Sequence, residues 1–131
     1  MYEAVTPDPI DDCECLHPAA FMRARRDLGN APAADEVAAV FAILGDPTRI
    51  RVLTALSGGE LCVTDLAAAT NVNRTTISHQ LRVLRAHRLV RRRREGKVMY
   101  YALDDDHVTA LLRMATDHVT EPSSAPEAVS A

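Results

Sequence analysis

The chain has 131 residues; 47% are hydrophobic but only 4% are aromatic and none is tryptophan, which suits one small domain with an aliphatic core. The net charge of −3 hides a strong polarity, because residues 74–97 carry nine basic groups against one acid, a local +8 that leaves −11 for the remainder and sets one face aside for a polyanion. An odd count of three cysteines argues against a closed disulfide framework, no stretch is long and apolar enough to span a bilayer, and the acidic start is unlike a signal peptide, so the expected compartment is a reducing cytoplasm.

Residues 1–17 are polar, acidic and proline-containing, and are expected to form a flexible arm. A short helix is expected over 18–28. The next, over 34–45, places Val37, Val40, Phe41 and Leu44 on one face. Asp46-Pro47 is a helix start, since Asp caps free N–H groups and Pro tolerates the first turn. That helix runs to about Ser57 with Ile50, Leu53 and Leu56 inward, and Gly58-Gly59 ends it. After the apolar run Leu61-Cys62-Val63, Thr64 is the expected cap of a helix over 65–70. Asn71-Val72-Asn73 makes a turn, and Asn73 caps a helix over 74–87 that buries Ile77, Leu81 and Leu84. Two helices joined by so tight a turn form a helix-turn-helix. Strands are expected from Leu89-Val90 and over 98–103, with Glu95-Gly96 at the tip between them. Asp104 to Asp106 cap a last helix running to about Val119, with Val108, Leu111, Leu112 and Ala115 apolar. The tail, 122–131, is rich in Pro, Ser and Ala and is expected to be disordered. The fold class is therefore mainly α with a β-hairpin wing, a winged helix-turn-helix whose body is residues 18–121.

The basic segment has the layout of a DNA reader. A recognition helix needs short polar side chains near its start, where base edges are reached. Asn73, Arg74, Thr75, Thr76, Ser78, His79 and Gln80 supply them, with Gln80 and Arg74 best suited to bases and Thr75, Thr76 and Ser78 to phosphates. Arg91, Arg92, Arg93, Arg94 and Lys97 on the wing supply phosphate charge. The expected partner is double-stranded operator DNA.

The last helix carries Asp105, His107, His118 and Glu121, oxygen and nitrogen donors that suit tetrahedral zinc. His107 and His118 share a face but stand about 16 Å apart along the axis at ~1.5 Å per residue, so one ion cannot span them. Two such helices packed antiparallel across a two-fold axis would bring the Asp105–His107 end of one to the His118–Glu121 end of the other, giving two shared sites per dimer. A second donor set is Cys13, His17, Cys62 and Asp65, with Cys15 as an alternative thiolate. Nothing in the chain supplies a Gly-rich phosphate loop or a nucleophile elbow, and a four-ligand protein shell leaves no open position for a catalytic water, so an enzyme is not expected.

Several stretches resemble the ArsR/SmtB family of metal-sensing repressors, and its SmtB-type zinc sensors most closely. They are DPTRIRVL at 46–53, ELCVTDLA at 60–67, TISHQLRVLRAHRLV at 76–90 and VMYYAL closing the wing, within residues 35–121. The family's D-x-H…H-x-x-E pattern falls on Asp105, His107, His118 and Glu121, and its Cys-x-x-x-His arm site on Cys13 and His17 with Cys62 and Asp65. The resemblance implies a homodimer joined through its first and last helices, bound to DNA without metal and released by zinc or a similar ion such as cadmium, cobalt or nickel. Thr64 stands where thiol-rich relatives have a second cysteine. An alternative reading keeps Cys13, Cys15 and Cys62 for cadmium, lead, arsenite or redox signals.

Overall fold

The structure is a computed structural model that describes residues 17–122; the arm and tail expected at the two ends, with Cys13 and Cys15, lie outside the described residues apart from His17 and Pro122. The chain divides into two compact units after Val37. In the first, α1 (Pro18–Asn30) follows His17 and carries Pro18 in its opening turn. It extends two residues past the expected end at 28 and buries none of its side chains; Arg25 lies over the ring of Phe21. Helix α2 (Ala34–Leu44) crosses the division.

The second unit holds the helix-turn-helix and its sheet. Helix α3 (Pro47–Leu56) begins where expected, with the Asp46 carboxylate accepting from the Arg49 N–H at 3.0 Å. Its buried residues are Val52, Leu53 and Leu56, while Ile50 is only half-buried, so Val52 takes the inward place expected of Ile50. Leu61 and Cys62 form a short strand, β1, which sequence periodicity did not show. It pairs antiparallel with β3 (Val98–Leu103), which pairs on its other side with β2 (Val90–Glu95). The expected hairpin is thus two strands of a three-stranded sheet in the order β1-β3-β2. Pairing with Tyr100 keeps Cys62 extended, and α4 (Val63–Thr70) starts directly after it. Cys62, rather than Thr64, therefore occupies the N-cap, and it makes no side-chain cap.

Asn71 ends α4 in the left-handed region at φ 59°, which Asn tolerates better than most residues. Helix α5 (Arg74–Ala86) then starts on Asn73, whose side chain accepts from the Thr76 N–H at 2.8 Å. Gly96, with φ +64°, takes the first of the two positions that turn β2 into β3, the place where a two-residue hairpin demands glycine. Helix α6 (Asp106–Thr120) closes the described chain. The core joins Val52, Leu53 and Leu56 of α3 to Leu66 and Ala67 of α4, Ile77, Leu81 and Leu84 of α5, and Leu89, Val90, Leu103 and Val108. Burying one stripe of α5 in this core fixes which of its faces is left for solvent. No helix among the described residues is long and apolar enough to cross a membrane.

Candidate nucleic-acid interface and metal ligands

The stripe Ile77, Leu81, Leu84 turns the opposite face of α5 outward. Arg74, Thr75, Ser78 and His79 are exposed, Thr76 is half-buried, and Asn73 is engaged as the cap. Gln80 is half-buried and its amide oxygen accepts from Arg49 Nε at 2.8 Å. A cleft of about 360 Å³ lies between the start of α5 and the wing tip, lined by Arg74 and Lys97 together with Cys62, Val63, Thr64, Val98 and Met99. Two cations facing one cleft suit a phosphate of the DNA backbone.

Strand alternation divides the four wing arginines into two pairs. Arg91 donates to the backbone carbonyls of Leu103 at 3.1 Å and Asp104 at 2.9 Å. Arg93 donates to both carboxylate oxygens of Glu60 and to Glu95, each at 2.8 Å, and lies over the ring of Tyr100. The bond from Arg93 holds the Glu60 carboxyl below its ordinary pKa, and the two acids push the guanidinium up. Arg92 and Arg94 point to the other side and make no ion pair among the described residues. In sequence the four arginines look alike, and the roles of Glu60 and Arg49 emerge in the structure. Glu60 had one signal available, an acid placed just before β1 and facing a basic wing. Arg49 meets its partner across 31 positions, which no local pattern reveals.

On α6, Asp105 is the N-cap. Its Oδ1 accepts from the N–H groups of His107 at 3.0 Å and Val108 at 3.3 Å, and its Oδ2 lies 3.3 Å from His107 Nδ1. Desolvation raises the Asp105 pKa, but the bonds from the His107 side chain and the two backbone amides outweigh it and hold the carboxyl below its ordinary value. Asp105 and His107 therefore form a ready pair of donors, both exposed. His118 sits in the last turn of α6 and Glu121 is its C-cap, also exposed. No group of three or more His, Cys, Asp or Glu side chains gathers in metal-binding range among the described residues. Of the second donor set, Cys62 is half-buried at the head of α4, Asp65 is exposed in its first turn, and His17 precedes α1.

The helix-turn-helix with its basic hairpin defines a winged-helix DNA-binding regulator, not an enzyme. Residues 46–92 match the bacterial regulatory protein, arsR family. The chain is 42% identical over 113 residues to the transcriptional repressor SmtB homolog of Synechocystis, covering 86% of each protein. It is 41% identical to the cadmium resistance transcriptional regulatory protein CadC homolog of Staphylococcus aureus, over 87% of this chain and 96% of that one. A homodimeric winged helix-turn-helix DNA-binding domain from Mycobacterium bovis, a possible ArsR-family regulator, superimposes with a TM-score of 0.62 at 30% identity, covering 84% of this chain and 91% of that one. The chain belongs to the ArsR family of bacterial transcriptional regulators.

Proposed function

We propose that the protein is a cytoplasmic, dimeric repressor that holds operator DNA without metal and lets go when a divalent ion, zinc first, is bound by Asp105 and His107 of one subunit with His118 and Glu121 of the partner subunit. The observation that carries this is the two-and-two arrangement of donors along α6: an adjacent pair at its start, two further donors, His118 and Glu121, at its end, and no set of three among the described residues. A tetrahedral shell then needs two copies of the helix. Apolar side chains support the pairing. A cleft of about 270 Å³ lined by Phe41, Leu44, Ile50, Leu111, Leu112 and Ala115 is open, and Phe41, Met114 and Val119 stay largely exposed, as a face that meets a second copy requires.

Zinc, when bound, would supply four ligand bonds across the pair of last helices. The residues of this chain do the rest. Asp105 holds its Oδ2 3.3 Å from His107 Nδ1, and the core fixes α6 against the sheet through Val108 and Leu103. A change in how two such helices pack therefore moves both recognition helices together, and their spacing must match successive major grooves about 34 Å apart. The test is DNA affinity with and without zinc for wild type and His107→Ala. Zinc should weaken wild-type binding and leave the variant on DNA. Equal affinity of wild type in both conditions would sink the reading.

A further inference from the structure

Gln80 has the residue type and helix position that suit contact with adenine, yet its side chain already has a partner. A guanidinium has five donors and no acceptor, so the Gln80 atom that meets Arg49 Nε at 2.8 Å must be the amide oxygen. Nη1 of the same guanidinium donates to the Ile43 carbonyl, near the end of α2, at 3.3 Å. Arg49 is itself anchored in the first turn of α3 by the Asp46 cap. A glutamine that recognises adenine uses both ends of its amide, the oxygen on N6 and the nitrogen on N7. Here the oxygen is committed to Arg49, and the side chain is half-buried where base readers are exposed.

We infer that Gln80 is a positioning residue: Arg49 straps the recognition helix to α3 and to the end of α2, and sequence discrimination falls to the exposed Arg74, Thr75, Ser78 and His79. This rests on α5 being the DNA-reading helix. The strap sets the angle at which that helix meets the groove. Breaking it weakens binding to every sequence alike and leaves the preferred sequence unchanged.

Selection from a random duplex library, followed by titration of the selected duplex, separates the two roles. Gln80→Glu keeps the acceptor for Arg49, whereas Gln80→Leu and Arg49→Leu remove the contact from either side. All three should select the same bases as wild type. Gln80→Leu should bind the selected duplex roughly tenfold more weakly, the scale of one lost bond to a charged group, Arg49→Leu at least as weakly because it also loses the Ile43 bond, and the double variant no worse than Arg49→Leu. A base reader gives the opposite. Gln80→Glu then switches one position from adenine toward cytosine, or Gln80→Leu loses preference at one position while Arg49→Leu keeps it. Either result overturns the strap, as do additive single-variant losses or unchanged affinity in Gln80→Leu. A wild-type protein that enriches no sequence would instead count against α5 as the reading helix.

Discussion

Arg93 lies against Glu60 with two parallel bonds of 2.8 Å, one to each carboxylate oxygen. This fork fixes the wing to the residue preceding β1 and occupies the charge of Arg93, while Glu95 takes its remaining nitrogen. The wing strands then present Arg92 and Arg94 as available cations, beside Lys97 at the tip. Each phosphate contact contributes about 0.9 to the slope of log affinity against log salt. The double variant Arg92→Ala, Arg94→Ala should lower that slope by roughly 1.8. Arg93→Ala should leave it nearly unchanged. Fluorescence anisotropy on one labelled duplex at four salt concentrations measures both. A fall of about 0.9 in Arg93→Ala would mean that the guanidinium leaves Glu60 for a phosphate in the complex.

The two donor sets make opposite demands on zinc. With the α6 set regulating, His118→Ala stays on DNA when zinc is added, and Cys62→Ser is released as wild type is. Cys62→Ser should still lose any cadmium–thiolate absorbance band, because sulfur favours the softer ion. Reversed behaviour of the two variants would transfer regulation to Cys62 and its partners.

Leu111 lines the open apolar cleft with Phe41 and Ala115 and is 37% exposed. Leu111→Arg places a charge on the face proposed to meet a second copy. Sedimentation should show wild type as a dimer at micromolar concentration and the variant as a monomer with its helix content intact. A dimeric variant would place the interface elsewhere.

Much of the fold follows from local signals. Asp46 and Asn73 are sequence-legible caps, and both hold their helices as expected. The stripe Ile77, Leu81, Leu84 is fully legible from its spacing and is buried throughout. What escaped depends on distant partners. The helix expected over 65–70 starts two residues earlier, at Val63, directly after the residue that pairs with Tyr100, so Cys62 rather than Thr64 takes the cap. Arg91 and Arg93 look like Arg92 and Arg94 in sequence; a two-residue period and the acid at Glu60 separate them. The proposed metal donors form a pattern that the sequence displays at the two ends of α6, but which copy would supply which pair is a property of the assembly.

Asp105 does two jobs that one substitution can separate. Its Oδ1 caps α6 through two backbone amides, and its Oδ2 reaches His107. Asn caps helices about as well as Asp, so Asp105→Asn should keep the cap, whereas Asp105→Ala loses it. On a domain of this size a lost cap lowers Tm by roughly 4 °C in Asp105→Ala, with Asp105→Asn close to wild type. Metal binding divides the variants differently. Asn offers a neutral amide oxygen in place of a charged carboxylate, so zinc affinity falls in both. Competition against a chelating indicator measures that affinity, and calorimetry in the absence of metal measures Tm. Asp105→Asn should therefore be stable yet weak in zinc. If it bound zinc as tightly as wild type, Asp105 would be a helix cap alone, and the fourth ligand would have to come from elsewhere, Asp104 or Asp106 being nearest in sequence.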